Sequence, residues 1–229
     1  MEITIHLRSN PHLYLRDPDC SSLGKLIVQQ GVLLMNELGY EQFTFRKLAI
    51  NIQSTEATIY KYFENKHRFL LYCSDLYWSW LQQYLFIVNL PSKSPWDKLM
   101  NAIEVLCLFQ GQPYQPGTAT PESLRNLVIS EAHKCWLTKH VTEDNRLSLF
   151  KPFKDLNQMI AGIILENNPD YPYAHSLANT IIEMSHTLQY HMRYLPSLTD
   201  TGNSPDPLKI QQFITHICNQ TLTLSPQQI

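Results

Sequence analysis

The residues best suited to chemistry are gathered in one stretch, Phe43 to Lys66, which reads Phe-Thr-Phe-Arg-Lys-Leu-Ala-Ile-Asn-Ile-Gln-Ser-Thr-Glu-Ala-Thr-Ile-Tyr-Lys-Tyr-Phe-Glu-Asn-Lys. Its spacing predicts two short helices joined by a tight turn around Gln53. Ala49 is small where the two helices must approach, Ile59 ten residues later is the buried anchor of the second, and Phe63 closes it. That is helix-turn-helix spacing. The second helix then turns Thr55, Glu56, Thr58, Tyr60 and Lys61 or Tyr62 outward. Hydroxyls, short donors and aromatic rings of this kind suit base edges and phosphates in a major groove.

Other reactive constellations are weaker. Two Glu-x-x-His pairs, Glu64/His67 and Glu183/His186, have the spacing used by helical di-metal sites. They lie far apart in the sequence, and the first falls inside the helix-turn-helix stretch, so chance spacing among nine histidines accounts for them better. His133-x-Cys135-x4-His140 matches no strong zinc pattern. The sequence carries no Gly-rich phosphate loop and no nucleophile elbow. The expectation is a protein that is not an enzyme, with no metal and no cofactor.

The elements that must position the 43–66 stretch are helical. Fourteen prolines fall in clusters, and between the clusters apolar residues recur at three- and four-residue spacing. The pattern predicts helices over Ser21 or Ser22–Leu38, with Gly39 as a left-handed stop, then Thr44–Ile52, Thr55–Phe63 and Asn65–Val88. Later helices are expected over Trp96–Phe109, Pro121–Trp136, Pro152–Asn167, Tyr173–Leu195 and Asp206–Leu222. The first should bury Leu23, Ile27, Leu34, Met35 and Leu38; the fourth should bury one side marked by Phe69, Leu76, Trp80 and Tyr84. Gly111–Thr120 reads as a disordered loop, and the only period-two alternation is a few residues near Ile3–Leu7. The fold class is all-α. No apolar run approaches a bilayer's thickness. No secretory leader is visible, and five scattered cysteines support neither a disulfide framework nor zinc, so a cytoplasmic location is expected.

With these residues in view, the sequence resembles the tetracycline-repressor (TetR) family of one-component transcriptional regulators. The resemblance is carried by Phe43-Thr44-x-Arg46-Lys47-Leu48-Ala49, by Thr58-Ile59-Tyr60-x-Tyr62-Phe63, and by Lys66 with Leu70, and covers about residues 22–70. It implies an N-terminal arm (1–20), a three-helix DNA-binding domain (21–68) and a larger helical effector-binding and dimerisation domain (69–229). It also implies roles. Thr44 and Lys66 would bind phosphates at either end of the unit, Tyr60 and Tyr62 phosphates or bases, and Arg46 a base or the backbone. Thr55, Glu56, Ala57 and Thr58 would face the groove beside Lys61. Three departures bear on affinity rather than fold: Gln53 replaces the usual turn glycine, Ser54 a small apolar residue, and Glu56 a lysine. Gln53 would cost about 1 kcal/mol if held at positive φ.

Two stripes near the C-terminus, Leu177, Ile181, Met184, Leu188 and Met192, then Ile210, Phe213 and Ile217, fit either a protomer's own core or half of a four-helix dimer interface, which the resemblance favours. The middle helices are rich in aromatic residues, among them Trp78, Trp80, Trp96, Trp136, Phe150 and Phe153. These fit an apolar ligand pocket and a large core equally well, and no charged pair marks a ligand's counter-ion. The expected function is a ligand-responsive DNA-binding regulator, a repressor acting as a homodimer on double-stranded operator DNA, with a small-molecule effector. The alternative is a helical metal- or small-molecule-binding protein whose helix-turn-helix no longer binds DNA. Over 229 residues the formal charge is −2, but Glu41–Arg68 holds five basic residues (Arg46, Lys47, Lys61, Lys66, Arg68) against three acidic ones. The net charge therefore allows a localised footprint with modest phosphate neutralisation.

Overall fold

A computed structural model describes residues 9–108, 119–201 and 206–223, and these form helices joined by turns and loops, with no strand among them. The elements are α1 (Ser22–Gln42), α2 (Phe45–Asn51), α3 (Glu56–Tyr60), α4 (Lys66–Asn89), α5 (Pro95–Cys107), α6 (Pro121–Glu131), α7 (His133–Trp136), α8 (Val141–Arg146), α9 (Lys151–Asn167), α10 (Ala174–Tyr194) and α11 (Pro207–Thr223). Several starts follow from side-chain caps: Ser21, Thr44, Thr55, Ser94 and Thr120 each accept a backbone N–H of the helix they open. Proline occupies the first position of α5 and α6, where its missing N–H costs nothing. The proline-rich loop expected at 111–120 lies outside the described residues apart from Ala119 and Thr120, as do Phe109 and the 3–7 alternation.

The described residues divide into two compact units. The first holds residues 9–80 and 119–153; the second holds 81–108, 154–201 and 206–223. The division cuts across α4 at Trp80. The first unit therefore recruits α6, α7 and α8 to the helix-turn-helix.

Its core is an aromatic cluster centred on Phe69. That ring stacks on Phe43 (5.5 Å between centroids, 13°) and meets Phe63 (5.1 Å) and Phe45 (6.5 Å) edge-on. Phe63 in turn meets Tyr72 at 5.2 Å. Such pairs add about 0.5–1.5 kcal/mol each beyond their buried area. The face of α1 that receives Phe69 is small: a Cβ on Gly31 would lie 2.4 Å from the ring's Cζ. The buried face of α1 includes Ile27 and Met35 as expected, but it is completed by Gly24, Val28, Gly31 and Val32 rather than by Leu23, Leu34 and Leu38. Glycines carry no apolar signal, so periodicity alone misplaces the face. The expected stop at Gly39 is present as a break inside α1, at φ 75°. There the Glu131 carboxylate accepts the Tyr40 N–H at 3.1 Å and pairs with Lys134.

The second unit packs α5, α10 and α11 together, with Leu99, Ala102, Ile103, Ile181, Ile182, Ile214 and Cys218 at 0% exposure. Buried Gln189 donates to the carbonyls of Leu106 (3.2 Å) and Ser185 (2.7 Å). Four residues expected at a dimer surface are spent in this core: Leu177, Ile181, Met192 and Ile210 are 7%, 0%, 5% and 2% exposed. They fill their own protomer. What the helices leave outside is Phe213 with half-buried Met184, Leu188 and Ile217, flanked by exposed Tyr190, Tyr194 and Leu195.

Two differences from the helix forecast matter for chemistry. The expected helix Pro121–Trp136 is divided into α6 and α7 at Ala132, and α8 was not foreseen, since Val-Thr-Glu-Asp-Asn-Arg has no apolar period. The function of α8 is to bury Asp144 beneath α4, where its carboxylate accepts from Arg68 Nη1 at 2.9 Å and faces His67 Nε2 at 3.5 Å. Likewise α4 is buried on every side over residues 69–75 rather than along one stripe, which sinks Asp75 to 3% exposure. Burial pushes the Asp75 carboxyl from 3.8 up to about 6, opposed by the Ser9 hydroxyl and the Asn10 backbone amide.

Phe69→Ala should lower unfolding free energy by about 3–5 kcal/mol in urea denaturation, as expected for removing a buried aromatic ring. For Asp75 the sign is set by the neutral form being favoured in the fold. Its penalty is fully present above about pH 6 and relieved as pH falls towards the unfolded value near 4. Asp75→Asn should therefore raise stability at neutral pH, by at most about 3 kcal/mol, and flatten the stability profile between those pH values.

Candidate nucleic-acid interface

The turn between α2 and α3 is a complete Schellman motif. Ser54 N–H donates to Ala49 O (2.8 Å) and Gln53 N–H to Ile50 O (3.2 Å), which places Gln53 at the left-handed position with φ 54°. The strain expected of the missing glycine is therefore present. Thr44 caps α2 by accepting Lys47 N–H at 3.2 Å, and Thr55 caps α3 by accepting Thr58 N–H at 3.3 Å. The Thr55 and Thr58 hydroxyls also meet each other at 2.9 Å. Ile59 points inward at 0% exposure, so the opposite side of α3 is obliged to face out.

On that outer side Thr44, Arg46, Thr55, Ala57, Tyr60 and Lys61 are exposed, and Glu56 and Thr58 are half-buried. Tyr60 is held edge-on against Phe45 (5.1 Å, 73°), which fixes the ring while leaving it 47% exposed. Motif spacing overlooked one neighbour: Ile50 on α2 is 70% exposed, a surface apolar group beside the turn.

Two of the expected contact residues are otherwise engaged. Tyr62 is 2% exposed, its hydroxyl 2.9 Å from Ser21 Oγ, its ring under the Arg16 guanidinium at 5.4 Å, and its carbonyl accepting Leu15 N–H at 2.8 Å. It anchors the N-terminal segment to α1 from a buried position. Lys66 donates to the carbonyls of Tyr40 (3.0 Å) and Glu41 (3.3 Å) and lies 4.4 Å from the Tyr40 ring centroid. It satisfies orphan carbonyls at the end of α1, with one of its three N–H bonds left over.

The local charge is smaller than the sequence count suggested. Arg68 is committed to buried Asp144, and Lys47 Nζ donates to Gln42 O at 2.8 Å. The exposed cations of the face are Arg46, Lys47 and Lys61.

The possible metal constellations do not assemble. Among the described residues no group of three or more His, Cys, Asp or Glu is gathered to hold an ion. Glu64 is exposed while His67 faces Asp144, and His186 Nδ1 lies 2.8 Å from Ile182 O within its own helix. Burial pushes the Cys135 thiol up to about 12, whereas His133 and His140 are exposed.

No protein-family model matches the sequence, and no curated protein does. Solved structures do. A bacterial regulatory protein of the TetR family from Rhodococcus RHA1 superposes with a TM-score of 0.63 at 13% identity, over 87% of this chain and 96% of that one. AibR, solved in complex with isovaleryl coenzyme A and operator DNA, gives 0.58 at 10% identity, over 83% and 95%. The fold is that of TetR-family regulators. The superantigen PfiT also superposes on this chain, with a TM-score of 0.60 at 13% identity over 92% of this chain and 100% of that one. Function therefore has to be argued from the face itself.

Gln53→Gly should stabilise the protein by about 1 kcal/mol, because glycine relieves the left-handed strain at the C′ position of α2. Thermal unfolding checks this; a loss of stability would mean that the Gln53 side chain does more than tolerate the turn.

Proposed function

We propose that the chain is a DNA-binding transcriptional repressor of the TetR family that works as a homodimer in the cytoplasm and releases its operator when a small molecule binds. The observation that carries this reading is the outer face of α2 and α3. Arg46, Thr44, Thr55, Ala57, Tyr60 and Lys61 stand exposed together, on a turn whose geometry is closed by backbone bonds and on a fold that AibR shares. Threonine hydroxyls and the tyrosine reach phosphates or base edges, and Arg46 reads a base or the backbone. Glu56 accepts from cytosine N4.

Dimerisation is supported by Phe213, Met184, Leu188 and Ile217, with Tyr190, Tyr194 and Leu195 around them, which form the apolar surface α10 and α11 leave uncovered. A two-fold dimer sets the two α3 helices about 34–36 Å apart, or further for separated half-sites. The effector acts by binding one dimer geometry better than the other, which shifts the population away from the spacing that fits successive grooves. The match to AibR makes an acyl-coenzyme A thioester one effector class to test.

Selection of bound oligonucleotides by the full chain is the primary test, and failure to enrich any sequence would favour the reading in which the helix-turn-helix no longer binds DNA. Against the enriched sequence, Arg46→Ala and Lys61→Ala should each weaken binding at least several-fold in gel shifts at fixed salt, and Tyr62→Phe should not. With three exposed cations per protomer, six per dimer, the slope of log affinity against log salt should be no steeper than about −5. Phe213→Glu should yield monomers by analytical ultracentrifugation.

A further inference from the structure

One exposed side chain of α2 has no role in the reading above. Ile50 is 70% exposed, against 47% for Tyr60, and it is the one branched aliphatic side chain exposed between Thr44 and Lys61. It follows Arg46 by four residues, so the two share one face of α2, a turn of helix apart. The exposed residues nearest to it along the chain, Lys47, Asn51, Gln53 and Thr55, are polar or charged. The Ile50 carbonyl accepts Gln53 N–H at 3.2 Å, and the Ala49 carbonyl accepts Ser54 N–H at 2.8 Å. Ile50 therefore sits where α2 gives way to the turn that leads to α3, on a backbone fixed by hydrogen bonds. A β-branched side chain in a helix is stiff at χ1 and loses little freedom when a contact forms.

A single apolar group among polar and charged residues is too small for a protein partner, whose contact buries about 800 Å² on each side. It suits duplex DNA in one way. Phosphates offer charge, and base edges in the major groove offer donors and acceptors with one apolar group among them, the C5-methyl of thymine. The minor groove shows no methyl. Arg46 and Lys47, exposed on the same short helix, supply the attraction to phosphate that such a contact needs.

We propose that Ile50 is a specificity-determining residue that reads the C5-methyl of one thymine in each half-site by apolar contact. The inference rests on the DNA-binding reading and adds to it a base preference that the hydroxyls and cations of the face do not supply.

The test takes the sequence enriched by the full chain and replaces its thymines one at a time by deoxyuridine, which removes the methyl and keeps the hydrogen-bonding edge. At one thymine of a half-site the replacement should weaken wild-type binding about fourfold in gel shifts at fixed salt, the effect of returning one methyl-sized group to water. Ile50→Ala should bind the unmodified site about fourfold or more weakly and should not respond to that replacement, whereas Ile50→Val should still respond. Ile50 is exposed, so both variants should keep the wild-type thermal midpoint. An enriched site holding no thymine at which replacement weakens wild-type binding, or an equal loss in wild type and Ile50→Ala, would overturn the inference and leave the DNA-binding reading standing. Failure to enrich any sequence would overturn both.

Discussion

The first unit depends on one close approach, Phe69 of α4 against Gly31 of α1. Only a residue without a Cβ lets the ring reach that depth, and once there it contacts aromatic side chains from Phe43, Phe45 and Phe63. Phe63 ends the segment that carries α3, and Phe45 opens α2, so a single ring sets the position of both helices of the outer face. The Tyr60 ring is fixed by the same Phe45, one step further out. Packing of this density transmits position rather than flexibility: the exposed side chains inherit their geometry from a buried ring.

Polar groups inside the unit do different work. Glu131 holds the break at Gly39 and Asp144 holds the start of α4, each pairing with a cation or backbone N–H that would otherwise be stranded. Lys66 and Arg68 are consumed in these roles or in their neighbourhood, which reduces the charge available to a polyanion. Broken pairs of this kind cost far more than intact ones contribute, so they specify where α4 begins more than they add to stability. Asp75 differs in having one oxygen that no described residue satisfies.

The helix-turn-helix was legible because its signals are local. Thr44 and Thr55 cap, Ile59 anchors, Gly39 breaks α1, and the turn at Gln53 follows from a six-residue hydrogen-bond pattern. The strain at Gln53 was implied by the family resemblance, which puts a glycine at that turn. Tyr62 could not be separated from Tyr60, since both are two-sided aromatics at a wet edge in the sequence. Their difference lies in Ser21 and Arg16, more than forty residues away. The stripes on α10 and α11 had the same ambiguity: periodicity says that Leu177, Ile181 and Ile210 are buried, and is silent about whether the burying surface belongs to the same protomer.

The sequence by itself determined the all-α class, the two-helix motif and the approximate bounds of most of the longer helices, because caps, prolines and glycines act over four residues or fewer. Tertiary structure decided which residues of that motif remain outside, which lysines and arginines keep their charge free, and that α8 exists at all. It also decided that Asp75, within α4, is buried. These outcomes depend on which distant side chains arrive at the same point, and spacing along the chain carries no information about that.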